Sequence, residues 1–155
     1  MQNTTWCRFD TTVPWRNDTG VDGRGASRQW RLMQRRRFRR LVEQAIDSLP
    51  SPFRERMANV EIVIEDEPTD EQIRSVGLDP EVETIFGLYE GTPLPERGHD
   101  YAMALPDRIL LFYLPLIENF GDDEHELAEE VRTTVVHEVA HFFGMDDDEI
   151  EDLGY

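Results

Sequence analysis

The sequence predicts a single α+β domain, and three features carry that prediction. Short runs rich in β-branched and apolar residues alternate with runs of helical period. The longest helical run, residues 123–143, contains neither Pro nor Gly. After the first thirty residues about 120 remain, enough for one hydrophobic core but not for two.

Residues 1–30 read as a flexible N-terminal arm. Gly20, Gly23 and Gly25 stand among Asn17, Asp18 and Asp22, and no apolar period survives there. Trp6, Trp15 and Trp30 are the exceptions, read as lightly packed aromatics. Cys7 is the single cysteine, so an internal disulfide is impossible. That suits a reducing, cytoplasmic setting. No apolar stretch long enough for a secretory signal follows the N-terminus, and nothing approaches a membrane span.

The expected domain occupies residues 31–155. Phe38, Leu41, Val42, Ala45, Ile46 and Leu49 recur at helical spacing behind a basic run containing Arg31, Arg35, Arg36, Arg37, Arg39 and Arg40. Strands are expected at 60–65, 85–89 and 108–113, with short helices at 70–76 and 115–120. Between the last two strands, Gly91, Pro93, Pro95 and Gly98 make residues 90–100 an exposed, turn-rich loop. His99 at its end reads as a solvent-exposed loop histidine and not as a ligand.

Charge is unevenly distributed. Residues 1–42 carry 10 Arg and 3 acids, whereas residues 43–155 carry 6 Arg and 30 acids, for a net charge of −17 overall. An acidic body of this kind repels nucleic acid and anionic membranes and favours basic or neutral protein partners at long range. The segment 31–40 is the one place where an anion could be attracted. Its simplest reading is a solvated helix end, and its functional reading is contact with nucleic acid, an acidic partner or the acidic body of the same chain.

The most specific motif is His137-Glu138-Val139-Ala140-His141, followed by Phe142-Phe143-Gly144-Met145-Asp146-Asp147. Residues four apart share a helix face, so both imidazoles can reach one metal ion. Leu127, Ala128, Val131, Val135, Val136, Val139, Ala140, Phe142 and Phe143 fill a broad apolar arc of the same helix. His137, His141 and Thr134 form a polar stripe beside it, with Glu138 between stripe and arc. Asp122 or Asp123 can cap the start, and Gly144 can stop the helix in a left-handed turn that returns the chain toward the metal. Asp147 is the expected third ligand by spacing; Asp146, Asp148 and Glu149 compete, because the run is wholly acidic and also reads as a helix start leading into Ile150 and Leu153. Two imidazoles and a carboxylate suit Zn²⁺ with one position open for water, and Glu138 is placed to act as general base.

The run from Thr133 to Asp148 resembles the signature of the minimal zincin-like, "possible metallopeptidase" family of small bacterial proteins. The blocks Ala58 to Asp66, Gly87 to Leu94 and Arg108 to Tyr113 agree in order and spacing. The resemblance spans about residues 37–155. It implies a compact domain with a small sheet packed on helices, zinc at His137, His141 and Asp147, and Glu138 as base. It also implies that strand 108–113 is an edge strand to which extended peptide adds. A related pattern in bacterial rRNA-maturation endoribonucleases places metal-binding residues at the same three positions but lacks the glutamate. The leading expectation is a zinc metallopeptidase, monomeric by default, acting on a peptide or protein. A zinc-stabilised interaction module with weak turnover and a metal-dependent endoribonuclease are the alternatives.

Overall fold

The computed structural model describes residues 9–10, 28–98 and 106–154. The chain runs through β1 (Phe9–Asp10), α1 (Arg28–Ser48), α2 (Ser51–Arg56), β2 (Val60–Glu65), α3 (Asp70–Ser75), β3 (Glu83–Thr84), β4 (Gly87–Glu90), β5 (Asp107–Phe112), α4 (Tyr113–Phe120), α5 (Glu124–Phe142) and α6 (Asp147–Asp152). Helices and a small mixed sheet thus share one α+β domain. Most of the expected arm, with Cys7, Trp6 and Trp15, lies outside the described residues, as does His99. Within the arm's range, Phe9–Asp10 pair antiparallel with Glu83–Thr84, and α1 opens at Arg28.

The main sheet has the order β2-β5-β4, with β2 parallel and β4 antiparallel to β5. The strand expected at the edge is therefore central, which corrects the strand-addition expectation for residues 108–113. Its composition explains why. Alternate residues of a strand point to opposite faces. Ile109 and Leu111 bury into a core with Phe38, Leu116, Val131 and Val135. Leu110 and Phe112 bury into a second cluster with Ile73, Ile85 and Leu88. A strand covered on both faces reads as a continuous apolar run, and only an interior strand is covered in that way. The edges fall to β2 and β4.

Smaller differences have local causes. Tyr113, expected to end the strand, opens α4, where Pro115 sits in the first turn and loses no helical hydrogen bond. A helix absent from the expectations, α2, starts behind Pro50 with Pro52 in its first turn. The loop after β4, expected to be exposed, is partly tied down. Arg97 ion-pairs with buried Asp107, donates through Nε to the Thr92 carbonyl at 2.9 Å and lies over the Phe142 ring. Tyr89 donates its hydroxyl proton to the same aspartate at 3.1 Å.

The basic run of α1 has a partly internal role. Arg35 pairs with Asp66 and Arg37 with Glu124, so two of its cations bind the acidic body directly. Arg36, Arg39 and Arg40 stay exposed. Phe38 meets Tyr113 edge-to-face with centroids 5.2 Å apart, locking α1 to the start of α4. No described helix is long and apolar enough to cross a membrane.

Truncating Phe38, which is fully buried, should cost about 3–5 kcal/mol of folding stability. Urea denaturation of Phe38→Ala measures this, and an unchanged midpoint would show that α1 is not part of the cooperative unit.

Candidate metal centre

Helix α5 is capped by Asp123, whose carboxylate accepts from the backbone N–H groups of His125 and Glu126 at 2.7 and 3.1 Å. It ends in a Schellman turn. The Gly144 N–H donates to the His141 carbonyl at 2.9 Å, and the Met145 N–H donates to the Ala140 carbonyl at 3.1 Å. Gly144 has φ +89°, a conformation that strains any side chain with a Cβ. A Cβ at Gly144 would also stand only 2.7 Å from Pro95 Cγ. The turn folds the next residues back along the helix.

Three consecutive residues then do different things. The Met145 carbonyl accepts a hydrogen bond from His141 Nδ1 at 3.0 Å. Asp146 caps α6 in a reciprocal box with Glu149, at 2.9 and 3.0 Å. Asp147, first residue of α6, points inward, buried, with Oδ1 at 3.3 Å from His137 Nε2 and 3.2 Å from His141 Nε2. The two Nε2 atoms are 3.0 Å apart. Of the four competing acids, the structure brings only Asp147 to the histidine pair and spends Asp146 and Glu149 on capping; Asp148 is exposed.

The two Nε2 atoms lie within hydrogen-bond distance of each other, and the Met145 contact makes His141 Nε2 the acceptor. The bond from His141 Nδ1 to Met145 keeps that proton on Nδ1, leaving Nε2 with a lone pair. Burial, and secondarily the neighbouring His141, push the His137 pKa down to about 4, so His137 is neutral at neutral pH. Burial likewise raises the Asp147 pKa, partly offset by His141. Both Asp147 carboxylate oxygens and His137 Nδ1 are buried with no hydrogen-bond partner. Such a carboxylate is costly unless a cation compensates it.

A metal ion removes the conflict. Bonds of about 2.0–2.1 Å to a tetrahedral zinc imply ligand atoms about 3.3 Å apart. The observed triangle of 3.0, 3.2 and 3.3 Å fits that edge length. The donor set, two imidazoles and one carboxylate, fits zinc as well.

The sequence model of the zincin-like metallopeptidases matches residues 57–155. The chain belongs to that family. No curated protein matches it. Zinc is the metal the family implies, and among the described residues of this zincin-like protein His137, His141 and Asp147 form a group able to hold it.

Glu138, buried beside the histidines, shows what sequence reasoning missed. It lies against Gly87 of β4. A Cβ at Gly87 would stand 2.6 Å from Thr134 Cγ2 and 2.9 Å from both Cγ and Oε1 of Glu138. The missing side chain is the space in which the glutamate and Thr134 pack. A glycine inside a strand pattern marks such close approaches, so the run 85–89 did carry a signal for it. The Met145 carbonyl left no trace in the sequence, because any residue supplies one.

Gly87→Ala should lower the melting temperature of the zincin-like domain, and in a Glu138→Ala background the same change should cost less, the remaining cost being the Thr134 contact. Thermal melts of the four proteins read this coupling without any substrate; additive effects would show that the two positions are independent.

Acid should weaken the metal-stripped protein. His137 titrates lower folded than unfolded, so between pH 6.5 and about 4 the unfolded chain binds more protons and stability falls as pH falls. The contribution is on the order of 3 kcal/mol. Raised Asp147 acts in the opposite sense above its unfolded pKa, losing stability as pH rises through its folded value. Urea midpoints of the chelated protein at pH 7 and pH 4.5 measure the sum, and His137→Ala should flatten the profile.

Proposed function

We propose that this protein is a zinc-dependent peptidase in which His137, His141 and Asp147 bind the metal and Glu138 is the general base. The observation that carries the reading is the convergence of three lone-pair-bearing atoms on one point beside a buried glutamate. A purely structural site requires the three ligands but has no use for the glutamate.

When bound, zinc would supply a Lewis acid for the scissile carbonyl and lower the pKa of a coordinated water. The residues of the chain do the rest. The Glu138 carboxylate, held between α5 and Gly87, accepts a proton from the attacking water and passes it to the leaving amine nitrogen. The Met145 carbonyl holds His141 in the tautomer that presents Nε2. Gly144 and the α6 cap hold Asp147 in place.

Substrate enters along β4 in this reading. Among the described residues no strand pairs with the outer edge of β4, and β4 is the strand that touches Glu138. An extended peptide can add there by main-chain hydrogen bonds. The net charge of −17 favours basic or neutral proteins as substrates. It disfavours RNA, whose phosphates would meet an acidic body. The single cysteine suits a cytoplasmic setting.

The test is a peptide-library cleavage assay with metal analysis. Glu138→Gln should lose about 10²- to 10⁴-fold in rate with zinc content retained. Asp147→Ala should lose zinc. Equal cleavage by wild type and Glu138→Gln would sink the proposal, as would cleavage of an RNA ladder with every peptide left intact.

A further inference from the structure

A second concavity lies on the other flank of α5. Between the α1–α2 corner on one side and α6 on the other there is a cleft of about 400 Å³, within the size range of ligand sites. At about 100° per residue, the α5 residues that line it, including Val136, Ala140 and Phe143, stand roughly opposite Glu138, with the histidine stripe between them. The cleft is thus neither the base's pocket nor the edge of β4. It adjoins the metal centre through Met145, which lines the cleft and whose carbonyl orients His141.

Its walls are apolar and its surroundings are acidic. Of the three exposed large hydrophobic residues among those described, two, Phe53 at 44 % and Leu153 at 60 %, line this cleft. Phe53 stacks edge-to-face on Phe143 at 5.0 Å but leaves much of its ring in water. Helix α6, which contributes Ile150 and is followed by Leu153, also carries the exposed acids Asp148, Glu149, Glu151 and Asp152 and no basic residue. On the facing side Asp47 is exposed beside Ser48. The one charged residue that lines the cleft is Arg132, which pairs with Glu129 at 3.8 Å; on α2, Arg54 pairs with Asp47 at 3.9 Å and Arg56 is exposed.

From this combination we infer that the cleft is a docking site for a peptide segment that presents large apolar side chains flanked by basic residues. The apolar side chains cover Phe53, Phe143 and Leu153, and the basic flank meets the acids of α6. An anionic amphiphile such as a fatty acid matches the walls and has Arg132 to meet, but its headgroup would also face the acids of α6, and nucleic acid matches neither walls nor rim. The inference goes beyond peptidase activity and does not need it, because docking requires neither zinc nor Glu138. A docked segment would be held one residue from the ligands' supporting carbonyl.

The experiment measures fluorescence anisotropy on the full-length chain with three labelled peptides: a leucine–tryptophan core flanked by arginines, the same core flanked by glutamates, and an alanine core flanked by arginines. The Arg-flanked apolar peptide should bind saturably and at least about tenfold more tightly than the other two. Leu153→Asp and Phe53→Asp change exposed positions and should each weaken it by about tenfold or more. Glu151→Arg with Asp152→Arg should narrow the preference over the Glu-flanked peptide, as should raised salt. Glu138→Gln should bind the peptide as wild type does, so that loss of cleavage and loss of docking are read separately. Equal binding of the Arg- and Glu-flanked peptides would overturn the inference, and so would insensitivity to Leu153→Asp. Self-association abolished by Leu153→Asp would assign the cleft to a second copy instead. Stronger binding after removal of residues 1–27 would assign it to the chain's own N-terminal segment.

Discussion

A buried polar stripe along the C-terminal half of α5 is the constraint around which this structure is arranged. His137, Glu138, His141 and Asp147 are each no more than 6 % exposed, and groups of that kind are tolerated inside a protein only when something compensates them. The neighbouring elements supply part of the compensation. Met145 gives His141 a carbonyl, and the Schellman turn at Gly144 makes that return possible. Strand β4 gives Glu138 room by omitting a side chain at Gly87. What the chain leaves without a hydrogen bond, the Asp147 carboxylate facing two imidazole Nε2 atoms, matches the demand of one divalent cation.

The sheet and helices can be understood as the rigid support for that stripe. Central strand β5 is covered on both faces, which fixes its register on β2 and β4 through side chains that cannot be exchanged between faces. With β5 fixed, β4 stands at a defined height against α5, and Gly87 comes opposite Glu138. The loop after β4 adds a second tie. Arg97 reaches back to Asp107 at the start of β5 and forward over Phe142, next to His141, while Pro95 packs on Gly144. The end of the metal helix is therefore held from the sheet side as well as by its own turn.

Charge works at two ranges. Close in, Arg35 and Arg37 tie the basic helix to the acidic body, with side chains still partly in water, so their net worth is small. Farther out, the acidic excess shapes which molecules approach. Arg108 shows the same arrangement on the sheet surface, where Glu61, Glu65 and Glu90 surround it within 4 Å.

The periodicities that a single element imposes on its own sequence were readable without the fold. The apolar arc and polar stripe of α5, a cap at Asp122 or Asp123, the stop at Gly144 and the apolar run of β5 all reflect contacts within one helix or one strand, so local spacing encodes them. The choice among Asp146, Asp147, Asp148 and Glu149 was readable only as far as spacing, which favoured Asp147. All four are chemically able ligands, and the choice depends on where α6 begins after the turn, which sends Asp146 to the cap and Asp147 inward. Likewise, nothing local says that β5 is central or that Gly87 faces Glu138, because pairing order and helix-on-sheet height are set by residues distant in the chain. The sequence determined the chemistry on offer: two imidazoles, a glutamate between them and an acidic run. Only the tertiary structure brought the Asp147 carboxylate onto the imidazoles and set β4 beside Glu138, since those are distances between elements and no single element carries them.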